Sequence, residues 1–302
     1  DRYANRHFSK QSGYVPDVCR ILRKYNLFCA IESYIKTATF PSKFKWKKTV
    51  FNAIRKYHTQ HWSERLNDDD EFALLWREIA QDLNIIGFSL HQDSDVTADY
   101  DLYRDHSVIA LHTPWGDASC RLGLPGKHNV ANALAAAAAA GAVGISITDI
   151  VKGLEGWQGV KGRLQSKTIN GLHVIDDTYN ANPASIKAAL EVLAMQHGMK
   201  LFVMGDMGEL CDDSESLHRQ SGVLARELGI NACFTLGDQT ALTAQAFGPG
   251  AHSFSNVEQL VSALQKLIQD NCNRPVNILV KGSRSMKMEQ VIELLDKNGL
   301  GA

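Results

Sequence analysis

Four short apolar runs, at residues 172–175, 200–204, 232–236 and 276–280, alternate with four stretches of helical periodicity, at 184–195, 214–228, 256–268 and 285–295. Nothing else in the 302 residues constrains the fold as strongly. A strand without polar alternation must be buried on both faces, and helices laid on either side of a parallel sheet achieve that. The expected fold class is α/β, with a Rossmann-like C-terminal domain built on a parallel sheet. It lacks the Gly-x-Gly-x-x-Gly turn, so a dinucleotide is not expected.

In open sheets of this kind ligands bind at the carboxyl ends of the strands. Polar residues gather at those ends. The first run is followed by Asp176, Asp177, Thr178, Tyr179, Asn180, Ala181, Asn182 and Pro183. Pro183 suits the first turn of the next helix, where a missing N–H costs little. This density of carboxylates and carboxamides fits a polar ligand, and equally an Asx-turn that caps the helix. Asp206 and Glu209 follow the second run. Lys281, Ser283 and Arg284 follow the last, a cationic loop suited to a carboxylate or to a charge pair with Asp206.

Upstream, residues 127–140 read as a helix rich in alanine, the best helix former, ended by Gly141. Asn129 and Asn132 lie three apart on its first turn, with His128 beside them. A carboxamide both donates and accepts, which suits an adenine edge, although Asn129 alone would serve as a cap. The sequence Gly126-Lys127-His128 imitates the end of a phosphate-binding loop but lacks the Ser or Thr that holds magnesium, and no other window supplies that motif. Residues 85–124 read as short strands (88–90, 108–111, 118–122) in a β-meander turning at Thr113 to Gly116. A helix is expected at 148–154 with Ser146 or Thr148 as its cap. Another covers 71–83, with Asp68 to Asp70 placed to cap it. The glycine-rich link at 159–162 is the best domain boundary, and Arg163 follows it with a fork that matches phosphate oxygens.

Charge divides the chain. Residues 1–66 hold 14 of the 32 Lys and Arg but only 4 of the 33 Asp and Glu, and 12 of the aromatic residues. The expected organisation is therefore 1–66, a basic and mainly helical segment (helices at 18–27 and 49–66); 67–164; and 165–302. Lys43, Lys45, Lys47 and Lys48 alternate with Phe44 and Trp46, a pattern that fits nucleic acid as well as a packed basic helix. His58 and His61 have ligand spacing but no third partner nearby, so no metal site is expected. Six scattered cysteines with no Cys-x-x-Cys pair fit a reduced, cytoplasmic setting. No apolar run approaches the roughly 18 residues of a membrane span, and the charged N-terminus argues against secretion.

The strings DDTYNANP from Asp176, LPGKHNVANALAAAA from Leu124, GDMGEL from Gly205 and KGSRSMKME from Lys281 together resemble the Mur ligases. The resemblance runs from about Asn67 to the end. It makes residues 67–164 part of a central ATPase domain and 165–302 the C-terminal domain. It implies an ATP-dependent ligase of peptidoglycan precursor synthesis, using ATP and Mg2+ to join D-alanyl-D-alanine to a UDP-MurNAc-tripeptide through an acyl phosphate. By resemblance, His128, Asn129 and Asn132 lie at the ATP base and Arg163 reaches the phosphates. Asp177 faces the nucleotide with Tyr179, Asn180 and Asn182 around it. Asp206, Glu209, Lys281, Ser283 and Arg284 stand toward the acceptor, with Arg163, Asp177 and Lys281 as the catalytic set. The family's uridine-nucleotide domain, phosphate-binding loop and carbamylated lysine have no counterpart in these residues, so the chain is expected to be inactive by itself. The alternatives are a nucleic-acid-binding fusion acting through 1–66 and a folate-glutamylating relative, against which DDTYNANP and KGSRSMKME argue.

Overall fold

The computed structural model describes residues 63–298 apart from 82, 92, 158, 211, 212 and 272. The helices expected at 18–27 and over most of 49–66, the lysine–aromatic stretch 43–48, and His58 and His61 lie outside the described residues. The end of the second helix is corrected: Ser63–Asn67 is strand β1, pairing in parallel with β2, Asn84–Phe88. β1 therefore runs across the change of charge at Leu66. Between them α1, Ala73–Ile79, is shorter than the expected 71–83. The expected cap is not formed: the N-cap residue is Phe72 with no side-chain cap bond, Asp70 Oδ1 accepts from the Phe72 N–H in the turn before the helix, and Asp68 takes Arg77 and Ser94.

The expected meander is present. Strands β3 (Thr97–Leu102), β4 (Ser107–His112) and β5 (Ala118–Leu122) pair antiparallel in sequence order. β3 replaces the strand expected at 88–90. Alternation sends Ile109, Leu111, Cys120 and Leu122 inward, where helix α2, Lys127–Ala142, covers them. Its buried residues Val130, Ala133, Leu134, Ala137, Ala138 and Gly141 recur at helical spacing. Gly141 does not end the helix. It lies inside the last turn, where an added Cβ would come within 2.2 Å of the Trp115 ring. The small residues let that indole reach the helix backbone. α3, Ile147–Gly156, begins at Ser146, whose hydroxyl accepts from the Asp149 N–H.

From Gln165 a single six-stranded sheet forms. Its strands are β6 (Gln165–Ile169), β7 (Leu172–Asp177), β8 (Met199–Gly205), β9 (Ala232–Leu236), β10 (Ala251–Phe254) and β11 (Val276–Lys281), in the order β10-β9-β8-β11-β7-β6. All neighbours are parallel except the edge strand β6 on β7. The helices are α4 (Pro183–Ala194), α5 (Ser214–Glu227), α6 (Thr240–Phe247), α7 (Val257–Gln269) and α8 (Glu289–Asn298). β6, α6 and β10 were not anticipated: each is short or edge-exposed and lacks a clear apolar period.

Strand alternation divides the core. Val174, Leu201, Val203, Phe234, Ile278 and Val280 face α7 and α8, whereas Ile175, Phe202, Met204, Cys233 and Leu279 face α4 and α5. The last residues of two strands inherit this parity. Asp177 follows Ile175, and Lys281 follows Leu279, onto the α4 face. Asp176 follows Val174 onto the opposite one. β11 sits between β7 and β8 although the chain visits it last, so the carboxyl ends of β7, β11 and β8 lie together where the strand order reverses.

Candidate active site

The register pairs Lys281 of β11 with Asp177 of β7. Both side chains turn to the α4 face, and Lys281 Nζ donates to Asp177 Oδ2 at 2.5 Å and to the Asn180 carbonyl at 2.8 Å. Lys281 is only 1% exposed. Burial pushes its pKa down, Asp177 pushes it up and Arg163 lowers it further. The partner of this lysine is thus Asp177, not Asp206. Asp176, on the other face, accepts from Lys167 Nζ and from the Thr178 hydroxyl. The two adjacent aspartates therefore do different work.

The other oxygen of Asp177 accepts from the Leu164 N–H at 3.1 Å. Two residues on, the Tyr179 N–H donates to the Gly162 carbonyl at 2.9 Å. Gly162 has φ of +74°, and an added Cβ would lie 3.2 Å from the Tyr179 nitrogen. The glycine allows the link to lie against the loop. Arg163, between these two bonds, places its guanidinium 4.4 Å from the centroid of the Tyr179 ring. Both residues are exposed, so the cation is held by the ring while facing solvent.

His128 comes to this edge from the first turn of α2. Gly126, with φ of +94°, leaves space that a Cβ would take from the His128 ring and from Val192 of α4, each at 2.8 Å. The helix start is thereby pressed against α4, which covers one face of the C-terminal sheet. Burial lowers the His128 pKa, with Asp177 raising it and Lys281 lowering it. Its Nε2 is buried with no hydrogen-bond partner among the described residues. A neutral imidazole with an unmet nitrogen beside a carboxylate suits a polar ligand. Asn129 and Asn132 stand on the same turn. The Asn129 amide donates to the Pro125 carbonyl at 2.7 Å and does not cap the helix, whose N-cap is Gly126 with no side-chain cap bond, and Asn132 is exposed.

Several expected contacts are already committed elsewhere. Asn182 is the N-cap of α4: its Oδ1 accepts from the Ser185 N–H, and Ser185 Oγ accepts from the Asn182 N–H. This is the capping alternative, realised. Asn180 Oδ1 accepts from the Ala181 N–H. Asp206 Oδ1 accepts from the Thr240 N–H at the start of α6. Arg284 forms a two-pronged pair with Glu289. Ser283 is buried against Ser285. Glu209 is exposed with φ of +62°, an uncommon conformation for a residue with a Cβ. His218 is fully buried. Its Nδ1 donates to the Ser214 carbonyl and its Nε2 accepts from the Met207 N–H, tying down the loop after β8. Among the described residues no group of three His, Cys, Asp or Glu side chains gathers as a metal site.

Sequence reasoning missed Gly126 and Leu164. A Pro-Gly step before a helix marks a turn, but the nearness of α4 is a tertiary fact. Leu164 acts through its backbone N–H, which leaves no mark on residue type.

A helix start bearing carboxamides and a histidine, set against the carboxyl edge of a parallel sheet and joined to it by a glycine link with an arginine, defines a class. The chain matches the Mur ligase middle domain over residues 43–140 and the Mur ligase glutamate ligase domain over 162–284, and it belongs to the Mur ligase family. The first match begins upstream of Asn67 and takes in the lysine–aromatic stretch. Within the family the similarity is to UDP-N-acetylmuramoyl-tripeptide–D-alanyl-D-alanine ligases (MurF). The Escherichia coli enzyme is 38% identical over 237 residues, 78% of this chain and 52% of its own. A Buchnera aphidicola counterpart is 32% identical, across 93% of this chain and 60% of that protein. A crystal structure of MurF from Acinetobacter baumannii superposes with a TM-score of 0.76 at 35% identity, over 83% of this chain and 54% of that one. MurF of Thermotoga maritima, solved with ADP, shares the fold with a TM-score of 0.69 at 20% identity, over 80% of this chain and 55% of that one. The chain thus spans little more than half the length of these relatives.

Proposed function

We propose that this chain supplies the adenine side and the acceptor side of an ATP-dependent peptide ligase. The reaction would join D-alanyl-D-alanine to a UDP-MurNAc-tripeptide in peptidoglycan precursor synthesis, a cytoplasmic setting being the natural one for nucleotide-linked substrates. One observation carries this reading: His128 of α2, Arg163 of the link and Asp177 of β7 come from three segments and meet at one edge. The MurF relatives supply the choice of substrates.

ATP fits the residues present, since the unmet Nε2 of His128 and the solvent-facing Arg163 are groups that nucleotide oxygens and ring nitrogens complete. When bound, ATP supplies the phosphoryl group that turns the tripeptide carboxylate into an acyl phosphate. In this reading Asn129 and Asn132 border the base with His128 beside them. Arg163 offers its fork to phosphate charge, which cations held in place stabilise as it spreads. Asp177, with Tyr179 and Asn180 around it, forms the opposing wall. Asp206, Glu209 and Ser283 border the acceptor edge, Glu209 and Asp206 being suited to an ammonium, and the exposed Arg284, paired with Glu289, stands beside them. Lys281 lies beneath Asp177 rather than on the surface. Holding amine and acyl group together converts an encounter into an intramolecular step. The described residues offer no clustered ligands for Mg2+, and no magnesium site is assigned.

The 302 residues contain no Gly-x-x-x-x-Gly-Lys-Ser/Thr sequence, so the proposal is nucleotide binding without turnover by these residues on their own. Calorimetry with ADP tests it. Binding that weakens in Asn129→Ala and Asp177→Ala is expected, together with no phosphate release from ATP in the presence of both acceptor substrates. Equal affinities in all three proteins would remove the site assignment. The nucleic-acid alternative receives no support from the relatives.

A further inference from the structure

A lysine buried to this degree is costly unless its charge is met inside the protein. Lys281 meets it in two places, the Asp177 carboxylate and the Asn180 carbonyl. Those places are not equivalent. Asn180 belongs to the exposed turn before α4. Asp177 reaches, through its second oxygen, the backbone of Leu164. Leu164 has φ of +48°, a left-handed conformation that a leucine keeps only when its surroundings hold it. Its N–H bond to Asp177 is a direct restraint on it. The parallel bond from the Tyr179 N–H to the Gly162 carbonyl restrains the residue on the other side of Arg163. Arg163 is therefore clamped between two hydrogen bonds to its flanking backbone, one from Leu164 to the Asp177 carboxylate and one from Tyr179 to Gly162, and the end of β7 with the turn after it is pinned by one ammonium.

We propose that Lys281 is a positioning residue that holds Asp177 and the Asn180 carbonyl, and through Asp177 the junction residue Leu164, so that Arg163 is presented in one direction. It touches neither nucleotide nor acceptor. Sequence logic supports the arrangement. Strand parity alone brings Lys281 and Asp177 to the same face of adjacent strands, and only a long side chain with several donors serves a carboxylate and a carbonyl at once. The inference rests on the nucleotide reading only for what Arg163 faces; the coupling from Lys281 to Leu164 rests on the bonds themselves.

The test compares the whole chain with Lys281→Met, Asp177→Asn and the double variant. Amide hydrogen exchange is read at Leu164 and Tyr179, and ADP and D-alanyl-D-alanine binding by calorimetry. Lys281→Met is expected to speed exchange at Leu164 by about tenfold or more while the central strands β8 and β9 keep their protection. ADP affinity should fall in the same variant. Lys281 and Asp177 act in series, so the double variant should exchange at Leu164 no faster than the faster single variant. Unchanged exchange at Leu164 in Lys281→Met, or effects that add independently, would overturn the proposal. Loss of D-alanyl-D-alanine binding with Leu164 protection intact would also overturn it, because it would put Lys281 in contact with substrate. Lys281→Met leaves a buried carboxylate unpaired, so if it does not fold the double variant is compared with Asp177→Asn: equal exchange at Leu164 supports action in series, and faster exchange in the double variant refutes it. If the wild type does not bind ADP, the proposed function fails, while the exchange comparison still decides the coupling.

Discussion

Arg163 lies over the ring of Tyr179, its guanidinium carbon 4.4 Å from the ring centroid. The contact joins the glycine-rich stretch before β6 to the loop that follows β7. A cation over an exposed aromatic face contributes about 0.5–1 kcal/mol. Tyr179→Leu should therefore weaken ADP binding by roughly two- to fivefold by freeing Arg163, while Tyr179→Phe should retain most of the affinity. Calorimetry on the two variants checks this. A loss in Tyr179→Phe equal to that in Tyr179→Leu would assign the effect to the hydroxyl instead.

His128 should respond to acid. Burial holds its pKa below the ordinary 6.5, against the pull of Asp177. As pH falls, the unfolded chain takes up this proton before the folded one. The stability contributed by a neutral His128 is thus complete above about 6.5 and is lost as pH drops through the folded value. The melting temperature should fall more steeply between pH 7 and 5.5 in the wild type than in His128→Gln. An imidazole titration followed by NMR should have its midpoint below 6.5, and a midpoint above it would contradict the buried placement.

Gly141 packs its bare Cα against Trp115, leaving no space for a methyl group. Gly141→Ala raises helix propensity, yet overpacking of this kind costs about 1–3 kcal/mol. The net effect should be destabilising in urea denaturation, the reverse of what propensity alone would give. A more stable variant would show that the indole moves aside without loss.

Asn182 carries the capping box of α4. Asn182→Ala should reduce stability by about 1 kcal/mol, with ADP affinity unchanged. The pairing of a chemical denaturation curve with a binding isotherm reads both. Weaker binding at unaltered stability would return Asn182 to the nucleotide.

Much of the architecture was legible because each parallel strand is apolar on both faces. Val276 to Val280 can be nothing but a central strand, and the capped, periodic helices follow from their own residues. Local chemistry also marked Pro183, and it offered the caps at Asn182 and Ser146, each as one of two readings. What failed were judgements that depend on neighbours. Gly141 looked like a helix end because glycine usually is one, and only the nearness of Trp115 shows otherwise. Lys281 looked like a surface cation because lysine usually is one. Its burial follows from β11 lying between β7 and β8, an order that no local pattern encodes. Arg284 and Asp206 were rightly placed at the sheet edge, but their partners Glu289 and Thr240 belong to elements whose packing had first to be known.

The measurement closest to the central claim is ADP binding to the whole chain and to Asn129→Ala, Arg163→Ala and Asp177→Ala, one residue from each wall and one from the link. If α2 and the C-terminal sheet grip one nucleotide, the wild type binds ADP and each substitution weakens it by about tenfold, the scale of a charge-assisted hydrogen bond. Wild-type binding that only Asn129→Ala disturbs, with Arg163→Ala and Asp177→Ala indistinguishable from the parent, would contradict a shared site.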